Sequence, residues 1–134
     1  MDRVSFVLGD ASATPFGGGT FALILAINVI DCVSSPMALL AEVSRLLETG
    51  GIAVIATPWD WSPNATSAEH WLGGHSPRRP DAGDPASVFR SAVGATDGLE
   101  LAGERDGIPW SLRLHERSTM QYTVYMAAVR KTPT

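Results

Sequence analysis

A single cysteine, Cys32, is all the thiol chemistry that this 134-residue chain offers. That excludes an internal disulfide framework and fits a reducing cytoplasm. Cys32 stands in an apolar run and is expected to be a buried, inert thiol rather than a nucleophile. Charge is also scarce: charged residues make up 18% of the chain, and the formal net charge is −4. Such a balance argues against a nucleic-acid partner, because neutralising phosphates needs a basic face. The Arg78-Arg79 pair, flanked by prolines, reads as a solvated loop. No apolar run approaches the ~18 residues of a membrane helix, and the N-terminus lacks the basic-then-apolar layout of a signal peptide. A soluble cytoplasmic protein with no membrane partner is therefore expected. There is no internal repeat, no heptad pattern and no strand–Gly-x-Ser-x-Gly elbow of the hydrolase kind. His70 and His75 lie five apart and His115 is distant, which is not the regular spacing of a metal site. No metal is expected.

What remains is globular in composition, with 45% hydrophobic residues, and long enough for one domain with a real core. Residues 4–8 form a short apolar run ended by Gly9-Asp10, a strand followed by a turn. Residues 21–29 are almost continuously apolar, as expected of a parallel strand buried on both faces. Ser34-Ser35-Pro36 then supplies an N-cap with proline at the first helical position. Met37, Leu39, Leu40, Val43, Leu46 and Leu47 follow helical spacing, with Glu42, Arg45 and Glu48 on the wet side. Gly50-Gly51 is expected to stop that helix. Residues 52–56 form a second buried strand, ended by Thr57-Pro58. This order predicts an α/β fold with parallel pairing. Residues 59–84, rich in Pro, Gly, Ser, His and Trp, predict a long functional loop. Asp84 caps a helix over 85–93, residues 99–102 suit a strand, and residues 108–114 and 120–130 read as an antiparallel pair.

The stretch from Val4 to Ala11, followed by Pro15-Phe16 and by the apolar run from Phe21 to Ala26, resembles class I S-adenosylmethionine-dependent methyltransferases between their third and fourth strands. The helix ending at Gly50-Gly51 and its following strand resemble the elements that come next, so the likeness covers residues 4–58. Pro58-Trp59-Asp60-Trp61, Trp71-Leu72-Gly73-Gly74 and Ile108-Pro109-Trp110 with Arg113, His115, Glu116 and Arg117 are similar to the methyltransferase domain of ovothiol-type synthases, which methylates a mercaptohistidine ring nitrogen. The resemblance implies an incomplete Rossmann-like sheet over residues 1–134, a single truncated methyltransferase-like domain. It has parallel strands plus a C-terminal antiparallel pair, and it lacks the first two strands.

The same resemblance assigns the cofactor, S-adenosylmethionine. Asp10 implies a carboxylate for the adenine amino group, Ala11 a backbone N–H for a ring nitrogen, and Asn28 an approach to the methionine part. The local alternatives are that Asp10 caps a turn and that Asn28 bonds its own loop. Trp61, Trp71 and Trp110 are candidates for an aromatic wall around a small heteroaromatic substrate; the alternative is that tryptophans plug the core. His75 and His115 are the candidate catalytic bases. Two departures stand out. Ala22 replaces a common Asp, and no Gly-rich loop opens a helix, since Gly17-Gly18-Gly19 precedes a strand. A bare sheet edge would then invite a homodimer or a complementing chain, unless residues 4–8 slide over to cover it. The alternatives are a non-catalytic remnant that serves as a binding or scaffold protein, and a truncated gene product.

Overall fold

The computed structural model describes residues 3–74 and 83–133. Its secondary structure grows from well-made local signals. Helix α1 (Pro36–Leu46) starts where the Ser35 side chain accepts the Ala38 N–H at 3.2 Å, with proline fixing the first turn. Helix α2 (Pro85–Ala95) starts where the Asp84 carboxylate accepts the N–H groups of both Ala86 and Ser87. α1 does not run to the glycines as expected. It stops at Leu46, and strand β2 (Leu47–Thr57) begins at once. Gly50 and Gly51 therefore lie inside the strand. Gly50 takes a φ of +84°, and a Cβ on Gly51 would sit 2.9 Å from the Glu48 carbonyl and 3.1 Å from that of Phe21. Only glycine lets the backbones pass so closely there.

Strand β1 (Phe21–Ile27) pairs parallel with β2, β2 pairs antiparallel with β4 (Ser118–Lys131), and β4 pairs antiparallel with β3 (Leu99–His115). The sheet order is β1-β2-β4-β3. The two stretches expected as separate strands, 99–102 and 108–114, fuse into β3. The expected break survives as register shifts between Leu101 and Gly103 and between Arg105 and Ile108. Gly107, at φ +72°, absorbs the second of them.

Both helices pack on one face. Ala26, Ala53, Ile55, Ala127 and Val129 share that face by register, and they form one core with Leu39, Leu40 and Val43 of α1 and Phe89 and Val93 of α2. The opposite face is open along β1. Leu23, Leu25 and Ile27 are 56%, 63% and 46% exposed, so β1 is buried on one side rather than both. Its apolar run reports what the strand carries, not what covers it.

Residues 4–8 form no strand. They run extended and exposed, with Phe6 at 96%. A strand exists only as part of a ladder, and no described segment offers these residues one. They have not slid across to β1, which remains a free edge. Cys32 also departs from expectation: it is exposed, because it ends a 3-10 turn at Ile30–Cys32 in which Ile30 and Asp31 face inward. Among the described residues no helix is long and apolar enough to cross a membrane.

The core predicts its own weak point. Phe89 is fully buried among the residues of this single layer. Phe89→Ala is expected to lower unfolding stability by ~3–5 kcal/mol, read from the shift of the urea midpoint. A loss under 1 kcal/mol would mean that the layer is not the stabilising core.

Candidate functional site

Among the described residues, two other than glycine adopt a left-handed backbone, Asn28 at φ +55° and Trp59 at +57°. Each follows the end of one of the adjacent parallel strands β1 and β2. Such backbone costs ~1–3 kcal/mol at a non-glycine residue and gathers where ligands bind. In an open α/β sheet, that is beyond the carboxyl ends of the parallel strands. The surroundings hold both residues in place. Asn28 N–H donates to the Ala56 carbonyl at 2.7 Å, and Trp59 N–H donates to Thr57 Oγ1 at 3.0 Å.

A polar chain ties these two ends together. Asp31, 2% exposed, accepts the Asp60 N–H on Oδ2 at 3.0 Å. Asp60 in turn accepts the Tyr122 hydroxyl on Oδ2 at 3.2 Å. Desolvation first, and then the bond to Asp60, raise the Tyr122 hydroxyl above its usual range, so it remains a donor. Desolvation and the adjacent Asp31 likewise raise the Cys32 thiol, which keeps it a poor nucleophile. Sequence reasoning gave no role to Asp31, Asp60 or Tyr122, although Asp60 stands in the Pro58–Trp61 motif. Asp31 could have been found as an acid three residues beyond Asn28, whereas Tyr122 lies 62 residues from its partner and only the β3–β4 hairpin brings it there.

The tryptophans divide. Trp59 meets Phe89 and Tyr125, with ring centres 5.9 and 5.4 Å apart, so it belongs to the core. Trp61 and Trp71 come together as a stacked pair, 6.0 Å apart and 10° from parallel. Trp71 Nε1 donates to the Thr66 carbonyl at 2.8 Å, while Trp61 Nε1 is buried without a partner among the described residues. Trp110 instead stacks on Tyr122 at 5.0 Å and 20°, which puts it on the hairpin side of the strand ends. The candidate bases do not join them. His115 is exposed at the far end of β3, where its Nδ1 accepts the Arg117 N–H at 3.2 Å. At ~3.3 Å per residue it is roughly 17 Å along the strand from Trp110. His75 lies outside the described residues. His70 pairs with Ser67 through Nδ1 at 3.1 Å.

Asp10 heads the loop that leads into β1. One carboxylate oxygen accepts the Ser12 N–H at 2.8 Å, and the group is otherwise exposed. Asp10 and Ala11 line a depression of about 240 Å³ together with Val7, Gly9 and Thr14. The loop is fastened by Glu42, which is buried rather than on the wet side as its spacing suggested. Glu42 Oε1 accepts Thr14 N–H at 2.8 Å and Thr14 Oγ1 at 2.6 Å. Arg45 holds the same carboxylate at 2.7 Å and also donates to the Phe16 carbonyl at 2.9 Å. Gly17-Gly18-Gly19 continues this fastening, with Gly19 N–H on the Arg45 carbonyl at 2.9 Å; it opens no helix.

Residues 1–55 match the family described as a methyltransferase domain. An uncharacterized methyltransferase of Mycolicibacterium gilvum (strain PYR-GCK) is 33% identical over 110 residues, which cover 73% of this chain and 42% of the relative. The chain thus spans less than half the length of that protein. Among solved structures, the (4+2)-cyclase SpnF superposes with a TM-score of 0.63 at 17% identity, over 98% of this chain and 58% of its own. A SAM-dependent methyltransferase from Methanosarcina mazei does so with a TM-score of 0.58 at 14% identity, over 94% and 66%. At such identities the superpositions establish the fold.

The Glu42 fastening has a pH signature. The Arg45 guanidinium first, with Thr14 behind it, pulls the Glu42 carboxyl down to about 2 from the ordinary 4.5. A depressed acid stabilises the fold fully above its unfolded value and loses that contribution as pH falls through the folded value. Wild type is therefore expected to exceed Glu42→Gln in urea stability at pH 7, and the gap should close between pH 4.5 and 2. A gap constant over that range would show that the carboxylate charge does not hold the loop.

Proposed function

We propose that this chain, similar to methyltransferases through residues 1–55 and to the Mycolicibacterium gilvum protein, is part of a class I S-adenosylmethionine-dependent methyltransferase and forms the adenine and acceptor side of its methyl-transfer site. The acceptor is a small molecule, with a heteroaromatic nitrogen as the preferred target. One observation carries the reading: the two strained residues, Asn28 and Trp59, stand side by side where ligands bind in such sheets. When bound, the cofactor supplies an already activated sulfonium methyl, so the chain's own work is alignment and exclusion of water. Asp10 fits the adenine end, because its exposed carboxylate has only one oxygen engaged with Ser12. Ala11 and Asn28 remain the further cofactor contacts. Trp61, Trp71 and Trp110 are the substrate-facing rings, and the charge-free β1 edge is completed by a second copy or a complementing chain. A single domain over residues 1–134 in a cytoplasmic setting fits this reading.

One feature favours a second reading, a binding or scaffold protein without turnover. Among the described residues the triple glycine is bound to the C-terminal end of α1. It does not form a helix-opening turn that would cradle the amino-acid end of the cofactor.

Two measurements decide. Light scattering after size exclusion is expected to show a species of at least twice the 14.2 kDa chain mass, and a clean monomer would count against completion by a second copy. Calorimetric titration with S-adenosylmethionine is expected to give micromolar binding in the assembled form, weakened about tenfold in Asp10→Ala. Silence up to millimolar cofactor would favour the scaffold.

A further inference from the structure

The β1 edge and residues 4–8 each lack a partner, and each has what the other needs. Half of the N–H and C=O groups of β1 turn away from β2 and meet no strand among the described residues. With no charge and no proline in the strand, that edge is a template for another one. Residues 4–8 lie outside any ladder, and Val4, Phe6, Val7 and Leu8 are all exposed. Their side chains also suit β1. In an extended chain Val4, Phe6 and Leu8 fall on one side, and Ser5 and Val7 on the other. β1 presents Leu23, Leu25 and Ile27 on its open face and turns Ile24 and Ala26 to the core. On the core side the room beside β1 is limited to two grooves of about 220 and 160 Å³, both bounded by Thr14 of the preceding loop. Ser5 and Val7 are small enough for that side, which leaves the larger side chains beside Leu23, Leu25 and Ile27.

Within one chain the two do not meet, and the loop between them shows why. Ala13 N–H closes a turn on the Asp10 carbonyl at 3.1 Å. Thr14 is then held by Glu42 at 2.8 and 2.6 Å, and the Phe16 carbonyl by Arg45 at 2.9 Å. With the loop pinned along α1, residues 4–8 leave the β1 of their own chain empty. A second copy brings an identical segment and breaks none of these bonds.

We infer that residues 4–8 of a second copy add as a strand to the free edge of β1, and that the exchange is reciprocal. Main-chain hydrogen bonds supply the affinity and the alternating side chains the register. Two-fold symmetry makes each copy both donor and acceptor, so every apolar contact counts twice and assembly closes at two chains. Neither surface carries a charge, so no ion is desolvated. The inference rests on the proposed function for the second copy as the cover of β1, and it names the segment that provides that cover.

Disulfide trapping in the full chain tests the exchange, with Cys32→Ser removing the only native thiol. One batch carries Phe6→Cys. An isotopically heavy batch carries Leu23→Cys, Leu25→Cys or Ile27→Cys. After mixing and mild oxidation, mass spectrometry reads disulfides between light and heavy chains. One of the β1 positions is expected to trap Phe6→Cys, whereas Leu114→Cys, exposed on the opposite edge strand, is not. Phe6 is 96% exposed within its own chain, so Phe6→Asp spares the folded monomer. It should raise the dimer dissociation constant on the order of a hundredfold, because the apolar contact is lost twice. A monomer throughout would overturn the exchange and leave a complementing chain as the cover. So would β1 cysteines that trap one another but never Phe6→Cys, which would show direct edge-to-edge pairing. Equal trapping by Leu114→Cys, or a dissociation constant unmoved by Phe6→Asp, would also overturn it. No cofactor takes part, so failure here leaves the methyl-transfer reading to its own titration, and silence in that titration leaves the exchange standing.

Discussion

Phe89 and Tyr125 meet edge to face, 5.7 Å apart, beneath the ring of Trp59. This contact joins α2, the central strand β4 and the loop that leaves β2, which are the three parts that fix the ends of the parallel strands. Its polar side is also closed. The Tyr125 hydroxyl donates to Glu104 Oε2 at 2.6 Å, and Arg90 of α2 grips the same carboxylate at 2.9 Å. Burial and the Glu104 carboxylate push the hydroxyl well above its usual range. The phenol therefore stays protonated and acts as a fixed donor. Aromatic packing and charge-assisted bonding reinforce one another here, because each restricts the rotamers that the other needs.

Where local chemistry sets structure, the sequence was readable. Ser35 and Asp84 cap the helices expected of them, with proline directly behind each. The parallel pairing of β1 with β2 and the antiparallel pairing of β3 with β4 also follow from runs and turns within a few residues. The family resemblance was carried by residues 4–58, and the family match covers nearly the same stretch, residues 1–55. Neither the structure nor the comparisons bear on the finer likeness to ovothiol-type synthases.

What escaped reading was whatever depends on a distant partner. Residues 4–8 have the composition of a strand, but a ladder needs a neighbour, and composition does not say whether one is present. Glu42 lies on the side of its helix that spacing assigns to water, yet Thr14 and Arg45 enclose it. The Asp31–Asp60–Tyr122 chain spans three elements, and no periodicity encodes it. Helical spacing reports burial against the helix's own neighbours, so it fails where a loop folds over the polar side.

The two edges of the sheet have different consequences for the life of the protein in a cell. β3 carries Glu100, Glu104, Arg105 and Asp106 together with three irregularities, the features that gatekeep an edge against foreign strands. β1, with the sequence FALILAI, has no charge, no proline and one irregularity near its start. A nascent chain that emerges with this strand uncovered resembles a client for holding chaperones more than a finished product. Its abundance would then be governed by how quickly a cover arrives, and overproduction without that cover would drive it into inclusion bodies.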